Sequence, residues 1–186
     1  MNLKFNRIAQ TLAALTAVAS APAAMAADGT ITFTGTLNAT TCTITAGGGG
    51  TGTKNIAVEM PTVSASSLSA SGDTAGLKPF SIKLSGCTGD ATSVATHFEN
   101  SGKVDQTTNR LKLDTGTGAA ENVQIELLNK DRSQIKIAAT SGNQESQKVA
   151  LTGGGAQLDY HARYVATGVA KAGSVNTSIA YSLEYQ

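Results

Sequence analysis

Residues 173–186 alternate apolar and polar side chains to the last position of the chain. Val175, Ile179, Tyr181, Leu183 and Tyr185 keep period 2, with Ala180, Ser182 and Glu184 between them. That period fits a half-buried β-strand. Such a strand needs neighbours on its hydrogen-bonding edges, and no residue follows to supply one. A second alternating run, residues 30–37 (Thr-Ile-Thr-Phe-Thr-Gly-Thr-Leu), stands near the other end. One loose strand at each end points to a sheet completed by another molecule. For residues 30–37 the plain alternative is an ordinary first strand paired within its own domain.

Residues 1–26 read as a secretory signal. Lys4 and Arg7 charge its start, residues 8–18 are apolar, and Ala24-Met25-Ala26 is a small-x-small cleavage site. The apolar run is too short for a membrane-spanning helix. Removing the signal leaves 12 basic and 13 acidic residues, a near-neutral balance. Such a chain has no field to attract nucleic acid or anionic lipid. Its length fits one domain with a full core.

Aromatic residues are 4% of the chain and Trp is absent, while Gly alone occurs 20 times. Short strands joined by many turns suit that composition. Further short strands are expected over residues 42–45, 54–60, 77–87, 94–99, 110–114, 123–128 and 157–165, with a hairpin partner at 134–138. Residues 64–76 read as a loop or one short helical turn. Helical periodicity is nearly absent, so the spacing of strands and turns predicts an all-β sandwich. The two cysteines of an exported chain, Cys42 and Cys87, are expected to form a structural disulfide.

The order of these landmarks resembles the pilin subunits of chaperone–usher fimbriae, the type 1 and P pilus group. Residues 28–37 followed by Cys42 look like that family's N-terminal extension and first cysteine. Residues 80–87, Phe-Ser-Ile-Lys-Leu-Ser-Gly-Cys, are similar to the strand that carries its second cysteine. Residues 125–131 resemble its mid-domain strand and turn. Residues 162–168, Ala172-Gly173 and the closing Tyr181-Ser-Leu-Glu-Tyr-Gln186 resemble its C-terminal signature, penultimate Tyr included.

The resemblance implies an incomplete immunoglobulin-like Greek-key sandwich lacking its last strand. It divides the chain into a signal peptide (1–26), an N-terminal donor-strand extension (27–38) and a pilin domain (39–186). It implies a structural subunit that polymerises by donor-strand exchange into a cell-surface fimbria used in cell adhesion. The implied partners are other pilin subunits, a periplasmic chaperone, an outer-membrane usher and a possible host receptor. On this reading Ile31, Phe33 and Leu37 enter a neighbour's groove, with Gly35 permitting close approach or marking a bend. Ile179, Tyr181, Leu183 and Tyr185 form the edge that a chaperone or donor strand meets, and Gln186 supplies a terminal carboxylate for the chaperone to grip.

Chemistry of other kinds finds little support. His97 and His161 lack HxH or HExxH spacing, so no metal site is expected. No GxSxG elbow occurs, no catalytic carboxylate pair stands out, and residues 47–54 miss the spacing of a phosphate loop. An enzyme, a cofactor and nucleic-acid binding are therefore not expected. Two rivals remain: a minor or adaptor pilin with a receptor-binding role, and a monomeric exported β-sandwich that binds a carbohydrate or protein.

Overall fold

The computed structural model describes residues 31–35, 37 and 39–186. The expected signal peptide lies outside the described residues. Residues 31–35, on the first of two compact units, carry no strand and are exposed. The second unit, residues 37–186, holds the strands.

The strands are β1 (Thr41–Ala46), β2 (Gly50–Thr51), β3 (Ala57–Val58), β4 (Thr74–Thr88), β5 (Ser93–Phe98), β6 (Val104–Asp105), β7 (Arg110–Lys112), β8 (Glu121–Asn129), β9 (Lys148–Ala150), β10 (Ala156–Lys171) and β11 (Tyr181–Tyr185). A 3-10 turn covers Ala65–Leu68. Six strands form one sheet in the order β1-β4-β10-β8-β7-β6, and three form another in the order β11-β5-β9. β2 and β3 make a small hairpin.

Alternation decides which side chains meet between the sheets. Phe80, Ile82 and Leu84 of β4 register against Tyr160, Leu158 and Ala156 of β10. Ile125 and Leu127 of β8 register against Tyr164 and Ala162. Val94 and Phe98 face them from β5, and all of these except the half-buried Ala156 are buried. The disulfide between Cys42 and Cys87 ties β1 to the end of β4. Closing a loop of this length stabilises the fold by about 4 kcal/mol in the chain-entropy account.

Residues 47–50 carry the chain off β1 and back over β4. Gly47 N–H donates to the Ser81 carbonyl at 2.8 Å. A β-carbon on Gly49 would lie 1.9 Å from the Pro79 carbonyl oxygen, so only glycine fits that crossing. The crossing delivers the β2–β3 hairpin to the open flank of the sandwich.

Three expectations are corrected. Only Tyr181–Tyr185 of the closing run is strand. Residues 174–176 instead bond to the loop after β7, through Ser174 N–H to Gly118 O and Asp114 N–H to Asn176 O, both 2.8 Å. Residues 134–138 are not a hairpin strand. They meet β8 through one bridge, Gln134 to Leu128, and sink Ile135 and Ile137 completely into the core. The short β2, β6 and β9 were not anticipated, since two or three residues carry too little period to read.

Candidate functional site

An apolar groove opens along the inner face of the six-stranded sheet, with a volume of about 980 Å³. Phe80, Ile82, Leu111, Ile125 and Leu127 form its floor. One wall is β11 with the segment before it. The other is the chain from Lys54 to Met60, which includes β3.

The β11 wall is an open sheet edge. β11 pairs with β5 on one side and ends the order of its sheet. Gln186 and Ser93 exchange both main-chain hydrogen bonds, and Glu99 N–H donates to the Ala180 carbonyl. By the antiparallel alternation, Ser182 and Glu184 also face β5 with their main-chain groups. Those of Tyr181, Leu183 and Tyr185 then point away from β5, toward the groove. Their side chains line it as well. The site therefore offers both halves of strand recognition, a ladder of main-chain groups without partners among the described residues and an apolar trough beside it.

All five apolar positions of the alternating C-terminal run, Val175, Ile179, Tyr181, Leu183 and Tyr185, line the groove. Gln186 does not. Its carbonyl oxygen accepts from the N–H groups of Thr92 (2.7 Å) and Ser93 (2.9 Å), which pins the end of β11. Burial raises the hydroxyl pKa of Tyr181 and of Tyr185 above the ordinary tyrosine value. The Tyr181 hydroxyl donates to the Lys54 carbonyl at 2.7 Å, across the groove. Sequence reading passed over Ile56, Val58 and Met60 of the opposite wall. Their period-2 spacing within a weak strand was the available signal.

Ile31, Phe33 and Leu37 are 81%, 90% and 102% exposed, against a core whose large side chains are almost fully buried. Among the described residues nothing covers these three large apolar side chains.

His97 lies on the outer face of the small sheet, Nε2 3.7 Å from Glu99 Oε2 and Nδ1 3.9 Å from Glu184 Oε1. His161 Nδ1 is 3.2 Å from the Asn129 carbonyl oxygen. Among the described residues no three His, Cys, Asp or Glu side chains are placed to hold a metal ion.

The model of the type-1 fimbrial protein A family (FimA) matches residues 60–186, which hold the whole three-stranded sheet and every strand of the six-stranded sheet except β1. The chain belongs to this family. It is 41% identical to the F17 fimbrial protein of Escherichia coli over 182 residues, covering 95% of this chain and 98% of that one. It is 43% identical to the major fimbrial subunit SMF-1 of Stenotrophomonas maltophilia (strain K279a) over 173 residues, covering 90% and 99%. Among solved structures the fimbrial protein resembles a chaperone–usher pilus subunit, with a TM-score of 0.57 at 20% identity over 89% of this chain and 100% of that one. The P pilus rod subunit PapA gives 0.55 at 18% identity over 78% and 99%. These two likenesses show the fold, an immunoglobulin-like pilin sandwich. The fimbrial protein is a structural subunit of a cell-surface fimbrium.

Proposed function

We propose that the groove of each subunit receives residues 27–38 of the next, so that subunits polymerise by donor-strand exchange. The observation that carries this reading is the unpaired edge of β11 beside an apolar trough of about 980 Å³. The exposed Ile31, Phe33 and Leu37 supply matching alternate side chains. Burying three such side chains contributes on the order of 5–9 kcal/mol before entropy costs. Donation in one direction does not close on itself, so it yields a filament rather than a ring of fixed size.

The same open edge needs cover before assembly, because an exposed apolar strand edge aggregates. On this reading a periplasmic chaperone pairs with β11 after export and an outer-membrane usher exchanges it for the donor. Surface attachment, including any host receptor, is the role of the finished fimbria. The subunit performs no reaction of its own.

Deleting residues 27–37 behind the intact signal tests the reading. Fibres should be lost while the chaperone complex is still recovered. A stable monomer that keeps full activity without fibres would instead favour a self-contained binding sandwich.

A further inference from the structure

We propose that the Tyr181 hydroxyl and the Lys54 main-chain carbonyl form a strap across the groove, which must open before a strand can enter. The inference rests on the donor-strand reading above and adds a gate to it.

Two independent features meet at this point. The first is the 2.7 Å hydrogen bond from one groove wall to the other. Among the described residues it is the only hydrogen bond joining β11 to the hairpin of β2 and β3. The second is the turn that presents the carbonyl. Lys54 has φ 48°, in the left-handed region that side chains with a β-carbon rarely adopt. Residues 51–55 of this turn are all exposed. The turn is tied to β1 by Ala46 N–H to Gly52 O at 2.8 Å and by a longer bond, Lys54 N–H to Ile44 O at 3.4 Å. A strained, exposed turn with few ties is the part of this wall that moves at least cost.

Geometry makes the strap an obstacle. An incoming strand must lie between β11 and the hairpin to reach the main-chain groups of Tyr181, Leu183 and Tyr185. The Tyr181 side chain spans that interval. A tyrosine hydroxyl is protonated, and so able to donate, at neutral pH, and burial raises its pKa above the ordinary value. Tyr160, whose hydroxyl meets Ser146 Oγ at 3.3 Å and which does not line the groove, is the internal control.

The test follows the binding of a fluorescent peptide of residues 27–38, in large excess over the chain's own segment, to the full mature chain freshly released from its chaperone complex. Tyr181→Phe keeps the ring and removes the strap. It should raise the association rate about three- to tenfold, the equivalent of one net hydrogen bond, and leave the dissociation rate unchanged. Tyr160→Phe should change neither rate. Amide hydrogen exchange over residues 52–57 should be faster in unliganded Tyr181→Phe than in wild type. A wild-type association rate in Tyr181→Phe, equal acceleration in Tyr160→Phe, or unchanged exchange would overturn the strap alone. Peptide that binds no variant, wild type included, would overturn the donor-strand reading and the strap with it.

Discussion

The ring of Tyr160, on β10 of the large sheet, meets the ring of Phe98, on β5 of the small sheet, edge-on with centroids 5.5 Å apart. Phe80 stacks on the same tyrosine from β4 at 5.6 Å. This trio bridges the two layers beside the groove floor. Tyr160→Ala should cost about 3–5 kcal/mol in urea unfolding, as large aromatic truncations in cores do. Burial raises the Tyr160 hydroxyl pKa. The unfolded chain then ionises first as pH rises past about 10, while the folded chain resists. Stability is thus complete below that pH and falls above it. Tyr160→Phe should lose less stability than wild type between neutral and alkaline pH.

Gly49 passes so close to the Pro79 carbonyl that no β-carbon fits, and its φ of 84° is one that glycine alone adopts freely. The obstructing atom is main chain, so it cannot swing aside. Gly49→Ala should destabilise the domain by more than about 2 kcal/mol, from left-handed strain plus displacement of β4. It should also loosen the β2–β3 wall of the groove. Thermal unfolding checks the first effect, and hydrogen exchange over residues 50–58 checks the second.

The sandwich and the groove edge were legible in the sequence because they rest on period 2. Phe80, Ile82 and Leu84, and again Tyr181, Leu183 and Tyr185, alternate cleanly and all point inward. The opposite wall was expected as a weak strand over residues 54–60, but its part in the groove was not legible, because β3 is only Ala57–Val58 and no local pattern says which distant strand Ile56, Val58 and Met60 face. The misplaced hairpin at residues 134–138 shows the converse. Ile135 and Ile137 have a strand's spacing, but Gln144 takes over the main chain there. Its Nε2 donates to the Ile137 carbonyl at 2.9 Å and its Oε1 accepts from Phe98 N–H at 2.9 Å. A side chain supplies the partners that a neighbouring strand would otherwise provide. No local pattern announces such a long-range substitution.

Glu126 is 2% exposed and lies between Arg110, whose Nε is 3.0 Å from Oε1, and Arg163, whose Nε is 2.6 Å from Oε2. The arginines are partly exposed and the carboxylate is not. Removing the acid lets both cations turn to water, whereas removing both cations strands a buried anion. Glu126→Gln should therefore cost about 1–2 kcal/mol. The double replacement of Arg110 and Arg163 by Ala should cost about 3–5 kcal/mol. Equal losses in urea titrations of the two variants would contradict this asymmetry.

Phe33 separates folding from assembly. Its side chain is 90% exposed, so a substitution there touches nothing that holds the domain together. Exposed sites of this kind change stability by less than about 0.5 kcal/mol. Entering a neighbour's groove reverses its situation, because the floor there is Phe80, Ile82 and Leu127 and offers no partner to a charge. Phe33→Asp forfeits the aromatic burial and adds the desolvation of a carboxylate. The variant should melt at the wild-type temperature yet form no fibres by electron microscopy. Phe33→Leu, which keeps an apolar side chain of similar reach, should still polymerise at reduced fibre stability. Fibres of Phe33→Asp at wild-type abundance would mean that this side chain never enters the groove.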